Sequence, residues 1–164
     1  MVRLAVFLVV AAIVGAGCGS GGGGTAADSA VERDASLYAI DQIERTWHQA
    51  ASTANVDLMM TIWAPDATFN IGTETLSGSA AIRDFFAHRA GPFKPGHHWV
   101  SETPAYKTRA TVNGDHGTLY FECHYVDAAT GKVVSVVAAD QDVQRIDGKW
   151  LITRSAASTA VLEP

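Results

Sequence analysis

The chain has six histidines and a scattering of carboxylates with which to move protons, and their spacing limits how they can act together. His97 and His98 are adjacent, so on a strand they point to opposite faces and at most one of them enters a given cavity. An imidazole accepts or donates a proton near neutral pH, which suits dehydration, cyclisation or isomerisation beside a carbonyl. Glu102 shares the face of His98 but lies four residues on, roughly 13 Å away along a strand, too far for a direct dyad. Glu122 and His124 are two apart, roughly 7 Å without convergence, and are read as facing water or a partner subunit. Asp140 and Asp142 share one face of their strand while Ala139, Gln141 and Val143 take the other, so a β-bulge would be needed to bring either Asp inward. Glu44 and His48, four apart on a helix, are read as a solvated pair on its flank. No zinc-type spacing, Ser/His/Asp set, phosphate-binding glycine loop or dinucleotide fingerprint is present, so no metal or cofactor is expected.

The elements that must hold these groups come in a simple order. A helix capped by Asp34 or Ser36 carries Ile40, Ile43, Trp47, Ala50 and Ala54 on one face. A second short helix is expected from Val56 to Trp63, ended by Pro65, with Asp66 capping or closing a turn. Two short strands, 68–71 and 75–76, flank Gly72, and a third helix over Ser79–His88 turns Ile82, Phe85 and Phe86 inward. A loop with Gly91, Pro92, Pro95 and Gly96 follows, of the kind that rims pockets. Four strands are then expected: 97–112 with a bend near Pro104, 118–127, 132–145 and 149–155. Their turns contain Asn113-Gly114, Gly131 and Asp147-Gly148. Leu119, Phe121, Cys123 and Tyr125 alternate onto the inner face. Helices followed by a long antiparallel run make an α+β domain.

Ahead of the domain, Arg3, an apolar run from Leu4 to Val14 and the small residues Gly15, Ala16 and Gly17 before Cys18 read as an export signal. The run is shorter than the roughly 20 residues a membrane-spanning helix needs. The division is therefore a leader over 1–17, a linker over 18–33 with GSGGGG at its start, and one domain over 34–164. Net charge is −5 and no basic stripe exists, which argues against nucleic acid as a partner. Cys123, with its only other cysteine in the leader, is read as a buried thiol.

The stretch from Trp63 to Phe86, with WAPDATF, the Gly72 turn and GSAAIRDFF after a helix ending near Ala54, resembles the NTF2-like superfamily and within it the SnoaL-like polyketide cyclase and dehydratase branch. The likeness runs from about residue 37 to about residue 158. It implies a cone-shaped fold in which helices pack on a strongly curved sheet around a cavity, and GHHWVSE aligns best with His98 facing that cavity. Trp47, Phe69, Phe85, Phe86, Phe121 and Tyr125 would form its walls, with Gln141 where the branch often places an Asp. The branch's dehydratases also use a Tyr and an Asp near the end of the first helix, where this chain has Trp47, Ala51 and Ala54. The leader resembles a bacterial lipobox with Gly15 in place of the usual Leu, implying lipidation of Cys18 and anchoring at the cell membrane, against the alternative of a secreted protein. Three readings remain open. The domain binds a small, largely apolar molecule; or it is a dehydratase, isomerase or cyclase with His98 as acid/base, assisted by Asp140, Asp142 or Glu102; or it is an interaction module forming a homodimer through Tyr120 and His124 on its outer sheet face.

Overall fold

The computed structural model describes residues 26–96, 99–101 and 107–161. Among the described residues three helices, α1 (Ala26–Ser52), α2 (Val56–Met60) and α3 (Ser79–His88), pack on one seven-stranded sheet. The strands are β1 (Trp63–Ile71), β2 (Glu74–Ser77), β3 (Trp99–Ser101), β4 (Lys107–Asn113), β5 (His116–Asp127), β6 (Val133–Ile146) and β7 (Lys149–Val161). Their order is β2-β1-β7-β6-β5-β3, and β4 pairs with the first half of β5 while β3 pairs with its end. Every pairing is antiparallel except β1 with β7. This is the α+β architecture expected, with helices held inside a curled sheet.

The α1 helix is seated by one close approach. A side chain on Gly117 would meet the carbonyl of Thr111 at 2.5 Å and Cδ1 of Ile40 at 2.9 Å, so glycine there lets the helix lie against β5. The helix begins at Ala26, inside the segment read as linker, and every residue through Ala35 is exposed. Asp34 and Ser36 therefore lie within it and cap nothing. It ends after Ser52, with Ala54 in the left-handed region at φ 50° and the Asn55 amide donating back to the Ala50 carbonyl at 2.8 Å. The Asn55 side chain then accepts from the Leu58 amide at 2.9 Å and starts α2.

The α2 helix stops at Met60, short of Trp63, which opens β1 instead. Pro65 and Asp66 lie in that strand and are exposed, not at a helix end. They fit because the β1–β7 pairing slips: Trp63 faces Ile152 and Thr68 faces Arg154, so five residues of β1 span two of β7. A proline is tolerated in a strand at such an irregularity.

On β5, Leu119, Phe121 and Cys123 are fully buried and Tyr125 nearly so, while the alternate residues are exposed or half-buried. The period-2 reading therefore holds along the whole strand, with Cys123 a buried thiol. The long β6 and β7 strands carry the inner rows across the sheet: Tyr125 faces Ser135, Cys123 faces Val137 and then Thr159, and Phe121 faces Ala139 and then Ala157.

Candidate functional site

Two features of the inner surface bear on function, set in different surroundings. The first is a cavity of about 380 Å³ at the end of the domain where α1 finishes. Trp47 enters it from α1, Phe85 and Phe86 from α3, Phe69 and Ile71 from β1, and Tyr125, Val137 and Ala157 from the later strands. The aromatic rings hold each other in place, with Trp47 edge-on to Phe86 at 5.6 Å and Phe69 stacked on Phe86 at 5.8 Å. Such pairs contribute about 0.5–1.5 kcal/mol each beyond buried area, which keeps a hollow from collapsing. Trp47 Nε1 donates to the Tyr125 hydroxyl at 3.3 Å, fixing both rings. Gly91 and Pro92, in the 3-10 turn Gly91–Phe93, border the space as the loop composition suggested. A side chain at Gly91 would come within 2.6 Å of the Trp99 ring, so this glycine admits Trp99 to the cavity wall.

The polar groups of the lining differ in exposure. Inside, Ser135 is 1% exposed and, among the described residues, its hydroxyl has no hydrogen-bond partner. At the mouth stand Arg89, Lys94 and Thr159, all exposed. Arg89 forms a two-point ion pair with Glu74, one bond of 2.9 Å between Nη1 and Oε1 and a second between Nη2 and Oε2, and its guanidinium lies 5.0 Å from the Phe85 ring centre. The hydrogen bond from Arg89 holds the Glu74 carboxyl below its ordinary range, and the same bond raises the guanidinium.

The second feature is the Glu44–His48 pair, which corrects the reading of a solvated flank. Both side chains are buried, at 1% and 0% exposure, with His48 Nδ1 2.5 Å from Glu44 Oε1. The approach meets the distance of an ion pair without the direction of a hydrogen bond, and Nε2 has no hydrogen-bond partner. The His48 ring stands edge-on to Phe121 at 5.4 Å. Because Ile40 sits over Gly117 and His48 over Phe121, two turns of α1 (~12 Å) run beside four residues of β5 (~13 Å). That register sets Glu44 between them, beneath the packed half of the sheet and away from the cavity lining.

The structure distributes the other expected residues as follows. Trp47, Phe69, Phe85, Phe86 and Tyr125 line the cavity. Phe121 and Gln141 are fully buried but belong to the packed core; Gln141 Nε2 is 3.5 Å from the Ser155 hydroxyl. Asp140 and Asp142 point outward. Arg154 Nε donates to Asp142 at 2.6 Å and its other end lies 3.6 Å from Asp140. A register shift does occur after Asp142, yet it leaves both acids on the outer surface. His97, His98, Glu102 and Cys18 lie outside the described residues. On β3 it is Trp99 that borders the cavity, while Val100, two residues on from His98 and so on the face expected to line the cavity, is 45% exposed. On the outer face Glu122 accepts from Tyr120 and pairs with Lys107 at 2.8 Å, and the bond to Glu122 raises the Tyr120 hydroxyl's pKa.

Sequence reasoning missed Arg89, Lys94, Trp99, Ser135 and Ala157. Only the loop composition near Pro92 pointed towards this rim. A larger cleft of about 700 Å³ between α2 and α3 is open and lined by solvated side chains such as Asp57, Arg83 and Asp84. The smaller, aromatic-walled cavity is the better ligand site, since ligands are held by concave apolar walls with a few placed polar groups. Among the described residues no group of three His, Cys, Asp or Glu side chains could hold a metal ion, and no helix is long and apolar enough to cross a membrane.

Helices enclosed by a curled sheet around such a hollow define the NTF2-like class of fold. Over residues 33–156 the chain matches the SnoaL-like domain, and it belongs to that family. Its fold is shared with LinA at a TM-score of 0.69 and 19% identity, covering 83% of this chain and 93% of LinA. The hexachlorocyclohexane dehydrochlorinase LinA-type3 from Novosphingobium barchaimii LL02 gives 0.67 and 16%, covering 82% and 93%. An NTF2-like protein of unknown function from Pseudomonas putida KT2440 gives 0.67 and 15%, covering 76% and 87%. At these identities the likeness is one of fold. No curated protein matches the chain by sequence.

Proposed function

We propose that this SnoaL-like domain binds a small, largely apolar molecule inside the aromatic-walled cavity, and that export and lipidation at Cys18 hold it at a cell membrane. The observation that carries the binding reading is the cavity of about 380 Å³, apolar on its walls yet containing the buried, unpartnered hydroxyl of Ser135. A buried polar atom without a partner costs about 1–3 kcal/mol, and a ligand that supplies the missing bond recovers it. The localisation reading rests on the apolar run from Leu4 to Val14 and the small residues preceding Cys18.

Calorimetric titration with 2-acetylnaphthalene, a neutral bicyclic ketone, tests the cavity. Saturable one-to-one binding is expected for the wild type and its loss for Ala157→Leu, which fills the space. Equal binding by the two proteins would sink the assignment. For the anchor, Cys18→Ala should move the protein from the membrane to the soluble fraction, and unchanged partitioning would rule lipidation out.

A further inference from the structure

The placement of charge and hydrogen-bonding groups around the cavity narrows the ligand class, given that the cavity is a ligand site. Its walls are largely apolar, with Ser135 as a buried hydrogen-bonding point. Its mouth, in a chain of net charge −5, carries two cations. They are not equivalent. Arg89 is neutralised by Glu74 through two bonds, so its charge is largely spent within the protein. The exposed Lys94 side chain has no ion-pair partner among the described residues, which by themselves leave one positive charge at the entrance uncompensated.

We infer that the ligand is a monoanionic amphiphile, a carboxylic acid with a compact ringed body and a hydroxyl or keto group at its far end. The carboxylate stays at the rim against Lys94, where it remains partly hydrated, because taking a carboxylate fully into an apolar hollow is too costly. The ringed body lies between Trp47, Phe86 and Trp99, and the far polar group bonds the Ser135 hydroxyl. A volume of about 380 Å³ has room for a compact ringed molecule. One excess positive charge selects a monoanion over a dianion.

Four naphthyl probes separate these contributions: 6-hydroxy-2-naphthoic acid, 2-naphthoic acid, the neutral ketone 6-hydroxy-2-acetylnaphthalene, and 2-acetylnaphthalene. By calorimetry the hydroxy acid should bind tightest. Lys94→Gln should weaken both acids about tenfold and leave both ketones unchanged, as expected for one charge-assisted bond. Added salt should do the same, since the rim is exposed to screening. Ser135→Ala should remove the advantage of the hydroxyl-bearing probes and leave the other two alone. Lys94 and Ser135 lie at the rim and on the lining, so both variants should fold, and unchanged melting temperatures check this. If the ketones bind as tightly as the acids, or Lys94→Gln weakens all four alike, the anionic ligand class is overturned while the apolar-cavity reading stands. If no naphthyl compound binds, both fall together.

Discussion

Ala139 and Ala157 face each other across β6 and β7, and they belong to different worlds. Ala139 is fully buried in the row with Phe121, under α1. Ala157, one strand away, borders the cavity. The sheet is continuous between them, so the difference comes from what lies above. Over the first half of β5 the helix turns keep step with the strand, and Ile40, Glu44 and His48 fill the space turn by turn. Past Trp47 the helix ends within two turns, and among the described residues α3, the 3-10 turn and Trp99 cover the space, with the small residues Ser135 and Ala157 on the sheet side. The packed half and the hollow half are thus made by one helix that stops short. The buried polar groups also divide between the halves: Glu44, His48 and Gln141 lie in the packed half, and Ser135 lines the hollow.

The sharpest way to break the comparison is to remove Glu44. Its loss strips a wholly buried imidazole of its carboxylate neighbour, and removing one partner of a buried carboxylate–imidazole pair costs about 3–5 kcal/mol. Urea denaturation of Glu44→Ala should show a loss of that size. The double replacement Glu44→Leu/His48→Leu should return to within about 1.5 kcal/mol of the wild type, because well-packed apolar residues replace both polar groups without leaving one alone. Binding of the naphthyl acids should survive in the double variant. Lost binding there would place the pair in the ligand site and erase the distinction between the two halves.

Next in size is the same substitution made at the two facing alanines. Ala139→Leu must force its extra atoms into a filled row, at a cost of about 1–3 kcal/mol. Ala157→Leu extends into open volume and should cost less than about 1 kcal/mol, while abolishing 2-acetylnaphthalene binding. Equal destabilisation at both positions would mean that the hollow closes in solution.

Much of this contrast could not be read from the chain, and the reasons are particular. The α3 helix over Ser79–His88 and the inward row Leu119, Phe121, Cys123 and Tyr125 were legible because one face of each meets the core and the other meets water. His48 was misplaced because that rule assumes a single covered stripe. Here α1 packs on β3, β4, β5 and β7 together, and a curled sheet covers a wider arc of helix than a flat one. Trp63 was assigned to a helix because the apolar run from Val56 continues into it; the slip in the β1–β7 pairing that admits Pro65 to a strand leaves no local mark. The aromatic walls were legible as large apolar residues at inward positions. The emptiness between them was not, since it depends on where α1 ends relative to Ser135 and Ala157. Lys94 and Trp99 flank a loop whose composition signals only that a loop is there.

The smallest expected effect concerns the rim and tests whether Arg89 is as fully engaged as the ligand inference requires. Glu74 is held below its ordinary pKa by the hydrogen bond from Arg89. A carboxylate with a lowered folded-state pKa adds stability that is complete above its unfolded value and is lost as pH falls through the folded one. Wild type should therefore melt slightly above Glu74→Gln at pH 7, by about 1–2 °C for an exposed pair, and the gap should close as the solution is acidified below pH 4.5, the ordinary carboxyl value. Freed from Glu74, Arg89 becomes a second uncompensated cation at the mouth. Binding of 2-naphthoic acid should then tighten in Glu74→Gln at pH 7, and binding of 2-acetylnaphthalene should not change. If the acid binds no better, the rim charge that matters is not set by Glu74, and the division of labour between Arg89 and Lys94 is wrong.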